Sequence, residues 1–194
     1  VFHEINEMPS FYVKENNLYL TLKKFKASIN LIQKHYNLIS PKDIKKFINI
    51  DNPAIISFDD GFQGVFKKAL PYLEKKKIPS LHFLNMKPII NKKPNISSTI
   101  QYLEKYDKKF KKFLNKNNIR KPSYLSVSPK IYNKFIKRFG GISKNTTNKI
   151  KKFQGNLVNQ DQLRYWDKSK YVFYANHLYD HWNTITLDNL MLKS

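Results

Sequence analysis

The sequence has no cysteine and few acidic residues, and both shortages limit what it can do. Without cysteine, disulfide bonds and thiolate metal sites are excluded, so a metal ion could bind only through His, Asp, Glu or neutral oxygen groups. No apolar run approaches the ~20 residues that span a bilayer, and the N-terminus lacks the basic and apolar regions of a signal peptide. We therefore expect neither a transmembrane segment nor a signal peptide in this chain.

The charge of the chain is strongly one-sided. Lysine and arginine account for 36 residues against 14 aspartates and glutamates, a formal net charge of +22, and only three of the basic residues are arginine. Asparagine is also abundant, with 21 copies, and a Lys/Asn bias over the whole chain is what a skewed base composition of the coding DNA would produce. The charge is therefore compatible with nucleic-acid binding but does not establish it.

The order of apolar patterns predicts an α/β fold. The 194 residues are 41% hydrophobic, which is enough for one domain with a buried core. The expected elements of the first half are a strand at 1–5, a helix from Thr21, a short helix from Ser40, a buried strand at 53–58, a helix at 64–76 and a strand at 78–84. The last three form a βαβ unit, which favours a parallel sheet.

The composition of the sequence changes between residues 91 and 165, where basic residues predominate over acidic ones. Within 101–152, 16 basic residues face only two acidic ones. Helical patterns over 100–114 and 130–139 predict a lysine-rich helical insertion on the surface. We expect this insertion to lie within a single domain that covers the whole chain (1–194).

Two predicted strands end in residues that can bind a metal ion. Asp59 and Asp60 follow the first of these strands directly. His177 and His181 follow a strand expected at 171–176. If both strands belong to one parallel sheet, the four side chains converge at the carboxyl ends of the strands. Two imidazoles and a carboxylate suit zinc or a similar divalent ion, and the second carboxylate could accept a proton from water bound to it.

Each part of this group also has a simpler interpretation. An Asp-Gly pair after an apolar run is often only a turn, and two histidines four residues apart are often neighbours on one helix face. His3, His35 and His82 are expected to be packing or surface residues, although His3 near a strand end could reach the same site. Tyr179 and Trp182 could stack on a sugar ring or serve as core or rim residues. Only the combination of the carboxylate pair with the imidazole pair favours a metal site.

Two short segments carry a resemblance to a known family. Residues 57–61 (Ser-Phe-Asp-Asp-Gly), with a helix containing 69–73 (Ala-Leu-Pro-Tyr-Leu) and a strand beginning at 78–79 (Ile-Pro), resemble the first signature of the polysaccharide deacetylases. These are the chitooligosaccharide deacetylase-like enzymes of carbohydrate esterase family 4. Residues 177–181 are similar to the second signature, a pair of histidines four apart, and residues 2–5 are similar to the opening strand of many members.

The resemblance, which covers residues 1–90 and 170–190, implies a function and a site. The family fold is a distorted (β/α) barrel, and the chain would form part of one, with the helical insertion added. The implied reaction is metal-dependent hydrolysis of N-acetyl groups from N-acetylhexosamine units of a polysaccharide or oligosaccharide. One divalent ion, zinc first, with nickel, cobalt or manganese as alternatives, would be held by Asp60, His177 and His181. Asp59 would be the general base, and the substrate contacts would be His3, Tyr179 and Trp182.

The sequence departs from the family pattern in three ways. Leu178 stands where the family usually has serine or threonine after the first histidine, so we expect the hydroxyl hydrogen bond of that loop to be missing. The two signatures are separated by the basic insertion. The later signatures do not occur, among them the Leu-His motif that supplies the general acid. We therefore expect a C-terminally truncated member whose remaining strands, and whose general acid, follow Ser194.

Two other functions remain open from the sequence. An incomplete barrel could act as a basic binding module for anionic glycan, lipid head groups or nucleic acid, and the same fold could hydrolyse another amide or an ester. For a deacetylase we expect an N-acetylated glycan as substrate and no nucleic acid, while the basic insertion could contact a membrane surface. The compartment stays undetermined between a bacterial cell envelope and the cytoplasm.

Overall fold

The structure, a computed structural model, describes residues 1–119 and 123–182. Its strands in this part of the chain are β1 (Glu4–Ile5), β2 (Tyr19–Leu20), β3 (Asn37–Leu38), β4 (Pro53–Ala54), β5 (Ile56–Phe58), β6 (Ser80–Leu84) and β7 (Val172–Asn176). The α-helices are α1 (Phe11–Glu15), α2 (Leu22–His35), α3 (Leu70–Lys75), α4 (Met86–Asn91), α5 (Ile96–Tyr106), α6 (Lys108–Lys116), α7 (Pro129–Phe139), α8 (Lys144–Gln154) and α9 (Gln160–Trp166). Short 3₁₀ helices lie at Pro41–Asn49 and Ser123–Leu125, and a π-helical turn at Val65–Ala69 leads into α3.

Three parallel strands form the central sheet. β6 lies between β5 and β7, and its register places Phe58, His82 and Tyr174 side by side across the three strands. The imidazole of His82 stacks on Phe58 at 5.0 Å between ring centroids, and both side chains are buried. The parallel βαβ unit expected from the sequence is therefore confirmed, and β7 extends its sheet by one strand.

The run at 53–58, expected as one strand, forms two. β4 pairs in parallel with β3, whereas β5 pairs with β6. The strand breaks at Ile55 because its two halves have different neighbours. The first strand is also shorter than expected and begins at Glu4. Before it, Phe2 already lies beside β5, since its N–H donates a hydrogen bond to Ser57 O.

Gly64 brings the helix that follows β5 close to β1. A Cβ atom at this position would lie 2.2 Å from Glu4 Oε1 and 2.3 Å from Ile5 O, so only glycine allows this approach. The helical turn that follows buries Val65 and Phe66 in the core beneath the sheet. The segments on both sides of the turn after β5 are therefore closely packed.

Residues 86–166, which we call the helical region, contain the helices α4 to α9. They have a separate apolar core of Ile96, Ile100, Leu103, Phe110, Phe113, Leu114, Val127 and Phe135. The single helix expected over 100–114 is two helices, because the Asp107 carboxylate accepts a hydrogen bond from Phe110 N–H at 2.9 Å and caps α6. The helix expected at 130–139 is confirmed as α7. That residues 91–165 are an insertion within one domain stays a prediction.

The α/β class is confirmed, but the strands of residues 1–119 and 123–182 do not close into a barrel. They form two two-stranded sheets, β1-β2 and β3-β4, and the three-stranded sheet β5-β6-β7. None of the helices in these residues combines the length and the apolar character needed to cross a membrane. The family resemblance also implies a helix after His181, which would fall within 183–194, outside the described residues.

Candidate metal centre

The two aspartates lie in a tight turn at the carboxyl end of β5. Asp60 and Gly61 both have positive φ angles, 68° and 74°, and Gly61 N–H donates a hydrogen bond to Asp59 O. A Cβ atom at Gly61 would lie 3.1 Å from Leu84 and 3.3 Å from Ile89, so glycine allows the turn to fit against the end of β6. The Asp60 side chain is buried as a result. The turn expected from the Asp-Gly pair exists, and it also buries a carboxylate.

The two histidines follow β7 in an irregular loop. His177 N–H donates a hydrogen bond to Leu84 O, which continues the ladder of β6 and β7 by one step. Beyond it, Leu178 and His181 have φ angles of 61° and 57°, in the left-handed region. The interpretation of the histidine pair as neighbours on one helix face is therefore wrong. A reversal of the loop, and not helical periodicity, brings the two rings to 5.0 Å between centroids.

The structure brings Asp60, His177 and His181 together around one point. One ligand atom from each side chain lies within 4.8 Å of the others. Asp60 Oδ1 is 3.2 Å from His181 Nε2 and 3.6 Å from His177 Nε2. Ligands about 2.0–2.1 Å from a tetrahedral zinc ion lie roughly 3.3 Å from one another. The donor atoms, and the two separations from Asp60 Oδ1, are therefore compatible with a small divalent ion.

The electrostatics of His181 favour a neutral ring. Burial lowers the pKa of this imidazole by disfavouring its charged form, the Asp60 carboxylate acts in the opposite direction, and His177 lowers the pKa again. The net direction is downward. Because only a neutral imidazole nitrogen can donate a lone pair to a metal ion, the environment keeps His181 in the form that a ligand needs.

Asn85 joins the site and was not predicted from the sequence. It is fully buried between the end of β6 and the start of α4, and its Nδ2 donates a hydrogen bond to Asp60 Oδ1 at 3.0 Å. All three strands of the central sheet therefore contribute at their carboxyl ends: Asp60 after β5, Asn85 after β6 and His177 after β7. Asn85 is the first polar residue after an apolar strand, and this position is the sequence signal that could have identified it.

A second residue missed by the sequence analysis, Ser97, lies on α5. Its Oγ is 3.0 Å from His181 Nδ1 and donates a hydrogen bond to His181 O at 3.3 Å. The hydroxyl that Leu178 cannot supply to the histidine loop stays absent at that position, and a different hydroxyl, from Ser97, contacts His181 instead. The hydroxyl comes from a helix 84 residues earlier in the chain, and no local pattern in the sequence indicates that contact.

Asp59 and His3 lie beside Asp60, His177 and His181, on the more exposed side. His3 Nε2 is 4.0 Å from Asp59 Oδ2, and their side chains are 30% and 19% exposed. The side chains of His3 and Asp59 lie close together because Asp59 N–H donates a hydrogen bond to Phe2 O. This bond places the first residues of the chain against the end of β5. His3 therefore lies at the mouth of the site, which its position near a strand end had made possible.

The remaining predicted substrate residues lie on the same loop as the histidines. Asp180 Oδ2 accepts hydrogen bonds from Lys87 Nζ at 2.5 Å and from Trp182 Nε1 at 3.2 Å. The Trp182 ring packs edge-on against Tyr132 of α7 at 5.8 Å and so belongs to the core of the helical region. Tyr179 is exposed. Contact of either ring with a substrate stays a prediction.

Comparison with known proteins adds information about the fold. No protein-family model matches the sequence, and no curated protein sequence matches it. The structure is similar to that of IcaB from Ammonifex degensii, with a TM-score of 0.52 and 13% identity, over 92% of this chain and 51% of that one. It is also similar to a de-N-acetylase from Aggregatibacter actinomycetemcomitans, with a TM-score of 0.48 and 15% identity, over 92% of this chain and 53% of that one.

A polysaccharide deacetylase from Bacillus cereus shares 12% identity over 90% of this chain and 62% of that one, with a TM-score of 0.38. The chain spans about half the length of IcaB, and the similarity extends over nearly all of the chain. The chain therefore shares the fold of IcaB over about half the length of that structure, and the resemblance inferred from residues 57–61 and 177–181 is confirmed at the level of the fold.

Proposed function

We propose that this chain belongs to a metal-dependent deacetylase that removes N-acetyl groups from N-acetylhexosamine units of a polysaccharide. Asp60, His177 and His181 would hold one divalent ion, zinc in the first instance. The described strands would form part of a distorted (β/α) barrel, and residues that follow this chain in a longer protein would supply its other strands and the general acid.

The observation that carries this proposal is the meeting of one carboxylate and two imidazoles, drawn from strands more than a hundred residues apart in the chain. A turn alone would not bury Asp60 against two rings. Without a proton or a cation between them, a carboxylate oxygen and a neutral imidazole nitrogen lone pair at 3.2 Å repel each other. When the ring proton is on Nδ1, a metal ion between the two atoms removes this repulsion.

The chemistry follows from the positions of the surrounding residues. A bound divalent ion polarises an amide carbonyl and makes a nearby water more acidic. Asp59 is close to the ligand residues but separate from them, so its carboxylate is free to remove a proton from the attacking water. His3, 4.0 Å from Asp59, would hold that carboxylate in place and contact the sugar. The exposed Tyr179 and the partly buried Trp182 would contact neighbouring sugar rings.

Metal binding is the first test of the proposal. Titration of the metal-free chain with Zn²⁺ should show one tight site in the wild type, and Asp60→Ala and His181→Ala should each abolish it. His35→Ala, at an exposed position on α2, controls for loss of an imidazole as such. Equal zinc stoichiometry in the wild type and in a variant lacking both His177 and His181 would contradict the site.

Hydrolysis is the second test. In a protein that contains this chain and the segment after it, release of acetate from an N-acetylated oligosaccharide should require the metal ion. Asp59→Asn should keep the metal affinity of the wild type and lose acetate release, because it removes a base and no ligand. An Asp59→Asn variant that hydrolyses at the wild-type rate would refute the role of Asp59.

A further inference from the structure

A serine of the helical region contacts the second histidine of the site at two points. Ser97 is the second residue of α5 and its side chain is buried. Its Oγ lies 3.0 Å from Nδ1 of the His181 ring and donates a hydrogen bond to the backbone oxygen of the same residue at 3.3 Å. One hydroxyl therefore contacts both the ring and the backbone of His181.

The two contacts define what this hydroxyl can do. A hydroxyl carries one proton, so while Ser97 donates to the His181 carbonyl it can accept a hydrogen bond from Nδ1–H of the ring. With the proton on Nδ1, the other nitrogen, Nε2, has a free lone pair. That nitrogen is the one that lies 3.2 Å from Asp60 Oδ1. The carbonyl contact therefore favours the tautomer in which Nε2 can bind a metal ion.

The backbone contact has a second effect. His181 has a φ angle of 57°, in the left-handed region that is strained for a residue other than glycine. A hydrogen bond from Ser97 to the carbonyl of this residue offsets that strain where the ring must turn back towards Asp60. Ring orientation and backbone conformation thus depend on the same hydroxyl.

We propose that Ser97 is a positioning residue of the metal centre, which fixes the orientation and the tautomer of His181. This inference rests on the proposed function, because it assumes that His181 Nε2 is a ligand. It goes beyond that function in assigning part of the site to the helical region. Since a hydrogen-bond partner of a metal-bound histidine typically contributes roughly 10-fold to metal affinity, Ser97→Ala should weaken metal binding by about that factor.

The neighbouring residue offers a matched control. Ser98 is also a buried serine in the first turn of α5, but its Oγ lies 2.6 Å from Gln154 Oε1 and 3.1 Å from Asn95 O, the two acceptors for its one proton. It contacts the start of the helix and not His181. Ser98→Ala thus removes the same atom from the same turn, and it should lower thermal stability without lowering metal affinity. Ser97→Thr keeps the hydroxyl and should keep the affinity.

The experiment compares the wild type, Ser97→Ala, Ser97→Thr and Ser98→Ala by two measurements. Titration with Zn²⁺ in competition with a chelator gives the metal affinity. ¹⁵N NMR of the imidazole groups in the metal-free proteins reports the hydrogen bond at His181 Nδ1. We expect Ser97→Ala alone to weaken zinc binding by about 10-fold and to shift the His181 Nδ1 resonance while the resonances of His177 stay unchanged.

Each outcome decides a separate question. If the wild type binds no zinc, the proposed function fails, and the role of Ser97 in it fails too. If the wild type binds zinc and Ser97→Ala binds it equally well, only the role of Ser97 is overturned. Equal weakening by Ser97→Ala and Ser98→Ala would show that the serine acts through the stability of α5, which also overturns the inference.

Discussion

The sheet region (residues 1–85 and 172–182) and the helical region differ in the polar side chains that they bury. Among the described residues, the helical region buries uncharged polar side chains, such as Asn95, Ser98 and Gln154. The sheet region buries carboxyl and imidazole groups as well, namely Glu4, Asp60 and His82. Side chains that change charge with pH are therefore buried in one region, and neutral ones in the other.

This difference indicates where chemistry can occur. Buried side-chain atoms without a hydrogen-bond partner among the described residues include Glu4 Oε2, His82 Nδ1 and Asn85 Oδ1, all in the sheet region, and Asn95 Nδ2 at the start of α5. Leaving polar atoms unpaired costs stability, which the packing around them must offset. We therefore expect the sheet region to respond to pH and to small changes in packing, and the helical region to respond mainly to the loss of caps and apolar contacts.

The largest effect is expected for Gly64→Ala in the sheet region. The new methyl group would lie 2.3 Å from Ile5 O, a backbone atom that can move only if β1 moves, so the loss of stability should be about 3 kcal/mol or more. Gly140→Ala in the helical region meets no atom within 4 Å and is disfavoured only by a φ of 76°, so it should cost about 1–2 kcal/mol. Urea denaturation of both variants measures the difference between their losses of stability. Equal losses of stability would contradict the proposed contrast between the two regions.

The next largest effect concerns His82 and acid. Burial among aromatic rings lowers the pKa of His82 to about 3, from 6.5. Between pH 6.5 and 3 the imidazole of His82 is protonated in the unfolded chain but neutral in the folded chain. The free energy of unfolding therefore falls as the pH falls towards 3, by up to roughly 1.4 kcal/mol per pH unit. His82→Gln should flatten this dependence in denaturation curves recorded between pH 3 and 7. His35→Gln controls for the residue change, and an unchanged slope in His82→Gln would exclude His82 as the cause.

Glu4 should produce a dependence of the opposite sign. Desolvation raises its pKa to about 7, from 4.5, against the opposing effect of hydrogen bonds from Asn6 and Gly64. Between pH 4.5 and 7 the carboxyl group of Glu4 is protonated in the folded chain but ionised in the unfolded chain. The stability that this difference contributes is fully present below pH 4.5 and is lost as the pH rises through 7. Glu4→Gln should remove that loss, measured by thermal unfolding at pH 5 and pH 8. A loss between these pH values that is as large in Glu4→Gln as in the wild type would contradict the prediction.

The smallest effect is expected in the helical region. Ser128 caps α7 by accepting a hydrogen bond from Ile131 N–H at 3.3 Å, and Ser128→Ala should cost about 1 kcal/mol. The cost should be the same at pH 5 and pH 8, because no titratable group takes part in the cap. Ser128→Asp, which restores an acceptor, should recover the stability. A pH-dependent cost would show that the helical region is coupled to the titrating groups of the sheet region.

Local signals account for the elements that the sequence could predict. The helices α2 and α7 and the strands β6 and β7 follow from periodicity and from local start signals such as Thr21, and the structure confirms them. The break at Asp107 was missed because an aspartate inside an apolar pattern can be either a helix residue or a cap. The splitting of the run at 53–58 was missed because strand partners are chosen by the rest of the fold.

For the site, the sequence signals lie at strand ends. The meeting of Asp60 with His177 and His181 follows from the geometry of parallel strands once both strands share a sheet. Asn85 also follows a strand, but its contact is with a residue 25 positions away, and the two contacts of Ser97 are with a residue 84 positions away. These contacts depend on side-chain directions that no periodic pattern encodes.

The short segment from Asn85 to Lys87 has a consequence for how this site could be adjusted. Asn85 holds the Asp60 carboxylate, while Lys87 donates a backbone hydrogen bond to Tyr179 O and binds Asp180 with its side chain. Both halves of the centre are therefore attached to the start of one helix. A shift of α4 would act on the carboxylate and on the histidine loop at the same time, so we expect substitutions on the far side of this helix to change the proposed metal affinity without replacing Asp60, His177 or His181.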